Sequence, residues 1–355
     1  MRASHIKITG TGCFIPKRVV KNEDFLNGTF YNEDGTSFAD EPGVIIKKFK
    51  HITGISERRY VEPEMTVQTI ASIAAERAIK DANIDPESLD YIIMAHNFGD
   101  VRHDSIQTDI VPSLASRVKH SLKIKNPKCV AYDIIFGCPG WVEACIQAKA
   151  FIQSGMANKC LVIGAETLSR VIDPHDRDSM IYADGAGATV LEKTNEEGGI
   201  LTHESASHTF EEANYIYFGE TFSPTKKENT KYIKMYGRRI YNFALTHVPN
   251  AMKECLDRAE VPIDKLKKIF IHQANEKMDE AILKRFYELY DKEIPKNIMP
   301  MTIQTLGNSS VATIPTLFHL YTKGKFEEME LEKGDVVMFA SVGAGMNINA
   351  IVYQL

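Results

Sequence analysis

Three residues carry the groups from which chemistry can be built in this 355-residue chain: Cys138, His272 and Asn308. Cys138 stands in the stretch 130–147, where an apolar strand runs through Gly137-Cys138-Pro139-Gly140 into a helix. Pro139 suits the first helical position, whose N–H would be unpaired anyway, so the Cys138 thiol is expected at the N-cap among free backbone N–H groups. The positive end of the helix then favours the thiolate, the nucleophilic form. The plain alternative is a buried structural cysteine, the reading given to Cys13, Cys129, Cys145, Cys160 and Cys255; Cys138 departs from it only if a base and polar partners lie elsewhere in the chain. His272 ends an apolar run and is followed by Gln273-Ala274-Asn275 just before a helix. A lone histidine after a strand is ordinarily a satisfied core group, but three polar side chains together at a helix start point to a site.

The elements that must position these residues are read from hydrophobic period. Strands are expected at 5–13, 89–95, 128–132, 159–163, 187–191, 269–272, 335–341 and 346–353. Helices are expected at 66–82, 105–122, 141–153, 239–258, 276–290 and 311–321. The stretch 14–60 reads as irregular, with Asn32-Glu33-Asp34-Gly35-Thr36 a turn-rich polar insertion, and 192–235 reads as a long charged connection without period.

An internal repeat organises these pieces. The helix-loop-strand unit over 78–94 lies over 255–271 at an offset of 177, half the chain. Gly137-Cys138 before a helix matches Gly307-Asn308 before a helix, and 160–165 matches 336–341. Two similar α/β halves, 1–195 and 196–355, are therefore expected about a pseudo-twofold axis. The first half carries Cys138 and the second His272 and Asn308, all at the carboxyl ends of strands, where α/β sheets gather ligands.

Composition narrows the class. With 44% hydrophobic and 25% charged residues and a net charge of −5, the chain has ordinary globular character and no basic footprint for nucleic acid. No signal peptide or membrane span is read, the six cysteines lack metal-type or scaffold spacing, and a cytoplasmic protein without a bound metal is expected.

The set Gly137-Cys138-Pro139-Gly140, Asp184-Gly185-Ala186-Gly187-Ala188, His272-Gln273-Ala274-Asn275, Gly307-Asn308-Ser309-Ser310 and Gly343-Ala344-Gly345 resembles the β-ketoacyl-acyl-carrier-protein synthase III family of thiolase-like condensing enzymes. The resemblance runs from Ile6 to the end. It implies a thiolase-like five-layered α-β-α-β-α fold, a homodimer, no cofactor, and substrates carried on coenzyme A or phosphopantetheine. It implies that Cys138 takes an acyl group from acyl-coenzyme A or acyl carrier protein and that His272 and Asn308 hold the thioester oxygen of malonyl-acyl carrier protein during a decarboxylative Claisen condensation. It further implies an oxyanion hole from the N–H groups of Cys138 and Gly345, pantetheine or nucleotide contacts at Asn275 and Arg177, and carrier-protein docking at Lys277, Lys284 and Arg285.

Departures from the pattern are also visible. The tryptophan that usually precedes Thr53-Gly54-Ile55 and stacks on adenine is absent and an enlarged 24–43 insertion intervenes, which points to a primer borne on protein rather than on coenzyme A, while Arg177 in Asp173-Pro174-His175-Asp176-Arg177 is kept; Phe49 or Tyr60 is the candidate replacement ring. Trp141 stands where a smaller aromatic is usual, which would alter the acyl pocket. The polar stretch 96–104 could hold a metal, against the commoner reading of solvent-facing or dimer-contact residues. A hydroxymethylglutaryl-coenzyme A synthase would want a Glu near 95–100 and a thiolase a second Cys near 343–345; neither is there. An acyltransferase of the same fold, passing the acyl group to an alcohol or amine, is the alternative enzyme. A partner subunit that only shapes a pocket is the non-enzymatic one.

Overall fold

The computed structural model describes residues 5–105, 107–225, 229–326 and 331–355. Residues 1–4 of the N-terminal reading, Ile106 of the expected 105–122 helix and 226–228 of the long connection lie outside them. Two sheets form the frame. The first runs His5–Phe14, Asp184–Thr194, Lys159–Thr167, Tyr91–Ala95, Val130–Ile134, and the second Gly199–Ser207, Asn347–Gln354, Val336–Gly343, Leu266–Ile271. Across the first four strands the senses are antiparallel, antiparallel, parallel in both sheets, so the order repeats as well as the sequence.

Helices fill and flank the sheets. The Gly140–Gln153 and Thr313–Thr322 helices lie between them, where Trp141, Val142, Leu317 and Phe318 share one core with Ile93 and Val162 of the first sheet and Phe270 and Phe339 of the second. The Val67–Ala82 and Leu114–Ser121 helices cover the outer face of the first sheet, and Gly237–Arg258 and Glu276–Glu288 that of the second. Helix, sheet, helix, sheet, helix makes five layers, as the motif set implied. The 177-residue offset holds at fine grain: the short 3-10 turn Pro86–Ser88 before one strand recurs as Ile263–Lys265 before its counterpart.

Several elements differ from expectation for local reasons. The 105–122 helix is only Leu114–Ser121, because Pro112 bars a helix through it and Ser113 caps the new start by accepting from Ser116 N–H. The stretch read as irregular contains a helix, Pro42–Thr53, with Pro at its first position and Gly54 at φ 78 ending it. Ile45, Ile46 and Phe49 of that helix join Phe30, Ile55, Leu168, Met180 and Ile181 in a separate cap cluster. The charged connection supplies Gly199–Ser207, a strand of the second sheet, and a hairpin of Ile216–Gly219 with Tyr232–Met235.

Candidate active site

Cys138 sits between the Val130–Ile134 strand and the Gly140–Gln153 helix, one residue earlier than expected: Pro139 is the N-cap, so Cys138 precedes it. The turn is held by close backbone contact with the other half. A Cβ at Gly343 would lie 2.4 Å from Cys138 N and 2.8 Å from Pro139 Cδ, so only glycine lets the end of the Val336–Gly343 strand approach this far. His272 follows the Leu266–Ile271 strand, its N–H bonded to Ala340 O at 2.9 Å. Asn308 is zipped to the first half through its N–H to Ile181 O at 2.9 Å and its carbonyl to Ala183 N–H at 2.8 Å. Its side-chain Oδ1 accepts Ser310 N–H at 2.8 Å, which leaves its amide N–H groups as the end free to meet a ligand.

All three line one cavity of about 260 Å³, with walls from Ile181, Phe218, Met235 and Met346. Ala344 and Gly343 line it too. Gly345, at φ 77 in the Ala344–Met346 turn, is not among the lining residues. Trp141 does not reach the cavity either; it packs edge-on to Phe339 in the central core.

Burial sets the protonation states. It pushes the Cys138 thiol up to about 11, opposed by a hydrogen bond from Ser310 Oγ to Cys138 Sγ at 3.3 Å, with the Glu166 carboxylate adding to the rise. Burial alone holds His272 down at about 4, so the imidazole is neutral near pH 7, and its Nδ1 finds no partner among the described residues. The helix-end argument for an easily formed thiolate is thus outweighed by desolvation.

Within the stretch 96–104, Arg102, His103 and Asp104 face solvent as expected, whereas 96–101 is turned inward. His96 is buried and lies with Nε2 3.1 Å from Asp133 Oδ2 while its Nδ1 accepts from Gly99 N–H. Asn97 lines the cavity and joins a chain that sequence reasoning missed: Glu166 Oε1 accepts from both its N–H and its Nδ2, each at 2.6 Å, and Nδ2 also donates to Ser310 Oγ at 3.2 Å. Glu166 was detectable as the single carboxylate in an otherwise apolar run, 160–167. Among the described residues no group of three or more His, Cys, Asp or Glu is placed to hold a metal ion.

A second cavity of about 450 Å³ shares Ile181, Met235, Ile240, Ala274 and Met278 with the first and opens outward past Lys48, Arg177, Arg238 and Asn275. Asn275 caps the Glu276–Glu288 helix, accepting Met278 N–H at 3.1 Å. Arg177 stacks over Phe38, its guanidinium carbon 5.1 Å from the ring centroid. Phe38 comes from the 24–43 insertion; of the rings expected to serve here, Phe49 lines the mouth but is buried under Arg58, and Tyr60 is buried elsewhere. The three candidate docking cations are not equivalent. Lys277 Nζ lies 3.0 Å from His51 Nε2, Lys284 is exposed beside Glu288, and Arg285 is used structurally, donating to Leu245 O at 2.9 Å. Gln273 is likewise structural, bonding Pro300 O and Thr302 N–H. No helix among the described residues is long and apolar enough to cross a membrane.

The chain was compared with known proteins. Residues 132–209 match the family model "3-Oxoacyl-[acyl-carrier-protein (ACP)] synthase III", and residues 256–355 match its C-terminal companion. The β-ketoacyl-[acyl-carrier-protein] synthase III of Aquifex aeolicus is 32% identical over 350 residues, covering 98% of this chain and 99% of that protein. The protein of the same name from Caldanaerobacter subterraneus is 32% identical over 346 residues, covering 96% and 94%. Among solved structures, the 3-oxoacyl-[acyl-carrier-protein] synthase III of Aquifex aeolicus superposes with TM-score 0.80 at 30% identity over 99% of this chain and 100% of that one. The Thermus thermophilus synthase III gives 0.80 at 27% identity over 98% and 99%.

Proposed function

This chain belongs to the 3-oxoacyl-[acyl-carrier-protein] synthase III family, and on that premise we propose that it condenses an acyl group held on Cys138 with malonyl-acyl carrier protein, releasing carbon dioxide. The observation that carries this reading is the meeting of Cys138, His272 and Asn308 in one largely apolar cavity that adjoins a second, more polar one. In the first half reaction the Cys138 thiolate attacks the thioester carbonyl, and the pantetheine sulfur leaves with its electron pair and takes up the proton that Cys138 gave up. The N–H groups of Cys138 and Gly345 meet the developing oxyanion. In the second, the carbon–carbon bond to the malonyl carboxylate breaks and its electron pair forms an enolate. Neutral His272, through Nε2–H, and the Asn308 amide donate to that enolate oxygen, donors worth roughly 3 to 4 kcal/mol each in a dry site. The enolate carbon then attacks the acyl-Cys138 carbonyl, and the Cys138 sulfur leaves as thiolate.

Lys48, Arg177 and Arg238 at the mouth suit the phosphates of a coenzyme A or phosphopantetheine carrier, and Phe38 beside Arg177 offers the adenine a ring in place of the missing tryptophan. Asn275, its acceptor spent on the helix cap, has amide N–H groups left for the pantetheine arm. Lys277 and Lys284 remain the carrier-protein contacts on this reading.

The test is intact and peptide mass spectrometry after incubation with acyl-coenzyme A or acyl carrier protein. Cys138→Ala should abolish the acyl adduct and Cys145→Ala, buried in the central core, should leave it in place. An adduct that survives in Cys138→Ala would remove the assignment.

A further inference from the structure

We propose that Ser310 is a catalytic residue of the acylation step, the hydrogen-bond donor to the Cys138 thiolate, and that Asn97 and Glu166 are positioning residues that fix the direction of that bond. The inference rests on Cys138 being the nucleophile. Four elements converge to make it: the Lys159–Thr167 strand brings Glu166, the loop after Tyr91–Ala95 brings Asn97, the turn after Asn308 brings Ser310, and the nucleophile turn brings Cys138.

The direction follows from donor and acceptor counting. An ionised carboxylate only accepts, so Glu166 Oε1, taking both the backbone N–H and Nδ2 of Asn97, selects the amide nitrogen over the amide oxygen at that position. The second Nδ2 hydrogen then points to Ser310 Oγ, which becomes an acceptor toward Asn97. A hydroxyl has one hydrogen, and that hydrogen is left for Cys138 Sγ. Sulfur in this site is therefore presented with a donor, an arrangement that favours thiolate over thiol. Backbone strain gives a second, independent sign. Ser310 holds φ 52, a left-handed conformation that costs a side-chain-bearing residue about 1 to 2 kcal/mol. It is held there by its N–H bond to Asn308 Oδ1 and by burial, a rare state that persists where the surroundings over-determine it and that clusters at active sites.

The strain also supplies the cleanest variant. Ser310→Gly removes the hydroxyl while relieving the left-handed strain, so lost reactivity cannot be put down to a worse backbone. The groups facing Cys138 are Glu166, His272 and Tyr182; between pH 8 and 9.5 Glu166 is ionised and the other two are neutral, so the rise of rate with pH reports Cys138 alone. In that range, alkylation of Cys138 by iodoacetamide, read on its tryptic peptide, should fall about 3- to 10-fold in Ser310→Gly with the slope of log rate against pH unchanged, because a lost donor raises the thiol's pKa while the weaker thiolate fraction is partly offset by greater intrinsic nucleophilicity. Asn97→Ala should show part of that loss, and the double variant should be no slower than Ser310→Gly alone, since Asn97 acts through Ser310. An unchanged rate in Ser310→Gly overturns the proposal, and additive losses in the double variant overturn the positioning role of Asn97. If wild-type protein forms no acyl adduct on Cys138, the functional reading itself fails; an adduct together with an unmoved Ser310→Gly rate sinks this inference alone.

Discussion

At the scale of single residues, the site works by keeping ionisable groups away from their ordinary charge states. His272, neutral because burial holds it near 4, can donate without presenting a full positive charge that would pin the malonyl carboxylate in place. His272→Ala and Asn308→Asp should therefore lose malonyl decarboxylation by a factor of about 100 or more while losing much less of Cys138 acylation. Single-turnover assays of the two half reactions check this, and equal losses would make His272 the base that activates Cys138 instead. Glu166 is displaced the other way, raised by burial from 4.5 to about 7. Its folded form thus favours the proton, a contribution complete below about pH 4.5 and lost as pH rises through about 7. In Glu166→Gln nothing ionises, so the stability gap in the variant's favour should open between pH 5 and pH 8, to on the order of 3 kcal/mol. A gap that stays constant across that range in thermal melts would show that the carboxylate bears no burial penalty. Cys138 and His272 stood out in the sequence because each ends an apolar run before a helix, and Asn308 because Gly307-Asn308 repeats Gly137-Cys138 in the other half. Asn97 and Ser310 did not, and Glu166 showed only as a carboxylate in an apolar run, because the chemistry of all three exists only through contacts 69 and 213 residues apart. No local pattern encodes such a meeting.

At the scale of elements, the nucleophile turn of one half is gripped by the strand end of the other. Gly343 has an extended φ of −168, which any residue can adopt, so its requirement for glycine is purely steric. Gly343→Ala would drive a methyl into Cys138 N, a backbone atom that cannot swing away. It should destabilise the fold by about 1 to 3 kcal/mol and abolish acylation. Gly155, at φ 81 with nothing within 4 Å, makes the contrast: Gly155→Ala should cost only its backbone strain, about 1 kcal/mol, and leave acylation intact. Thermal melts and adduct formation measured on both variants separate contact from conformation, and equal behaviour would refute the interlock. The same distinction explains which elements the sequence disclosed. Central strands and the helices between the sheets are apolar or periodic enough to read directly. The Pro42–Thr53 helix carried its proline and glycine signals but hid in a polar neighbourhood. Gly199–Ser207, an edge strand with few buried residues, lacks the alternation that would expose it.

At the scale of the whole molecule, the five-layered frame leaves the mouth to be built by what lies outside it: the insertion, the Pro42–Thr53 helix and the 3-10 turn Arg177–Ile181. These are pinned together from below. Buried Arg58 donates to Met180 O, Val20 O and Asn22 Oδ1, and Lys234, wholly buried, pairs with Asp173 and Asp176 of the Arg177 segment. Tyr31 reaches His175 from the insertion, and Asp40 pairs with Lys48 at 2.6 Å. Phe38 is therefore presented on an anchored loop, half-buried against Arg177, rather than on a tail that must be ordered when a ligand arrives. The absence of the usual tryptophan had argued for a primer borne on protein, because coenzyme A would be poorly held; a ring already stacked on Arg177 argues the reverse. On this geometry acyl-coenzyme A should acylate Cys138 efficiently, and Phe38→Ala should raise the KM for acyl-coenzyme A by about 5- to 150-fold, the span of one base–aromatic stack. The same variant should leave acylation by acyl-pantetheine, which has no adenine, within about twofold of wild type, because Phe38 does not line the inner cavity. Steady-state acylation rates with the two primers, on wild type and variant, decide the matter. Equal losses with both would make Phe38 a support of the Arg177 turn, and a wild-type preference for acyl carrier protein over acyl-coenzyme A at equal concentration would return the primer to a protein carrier.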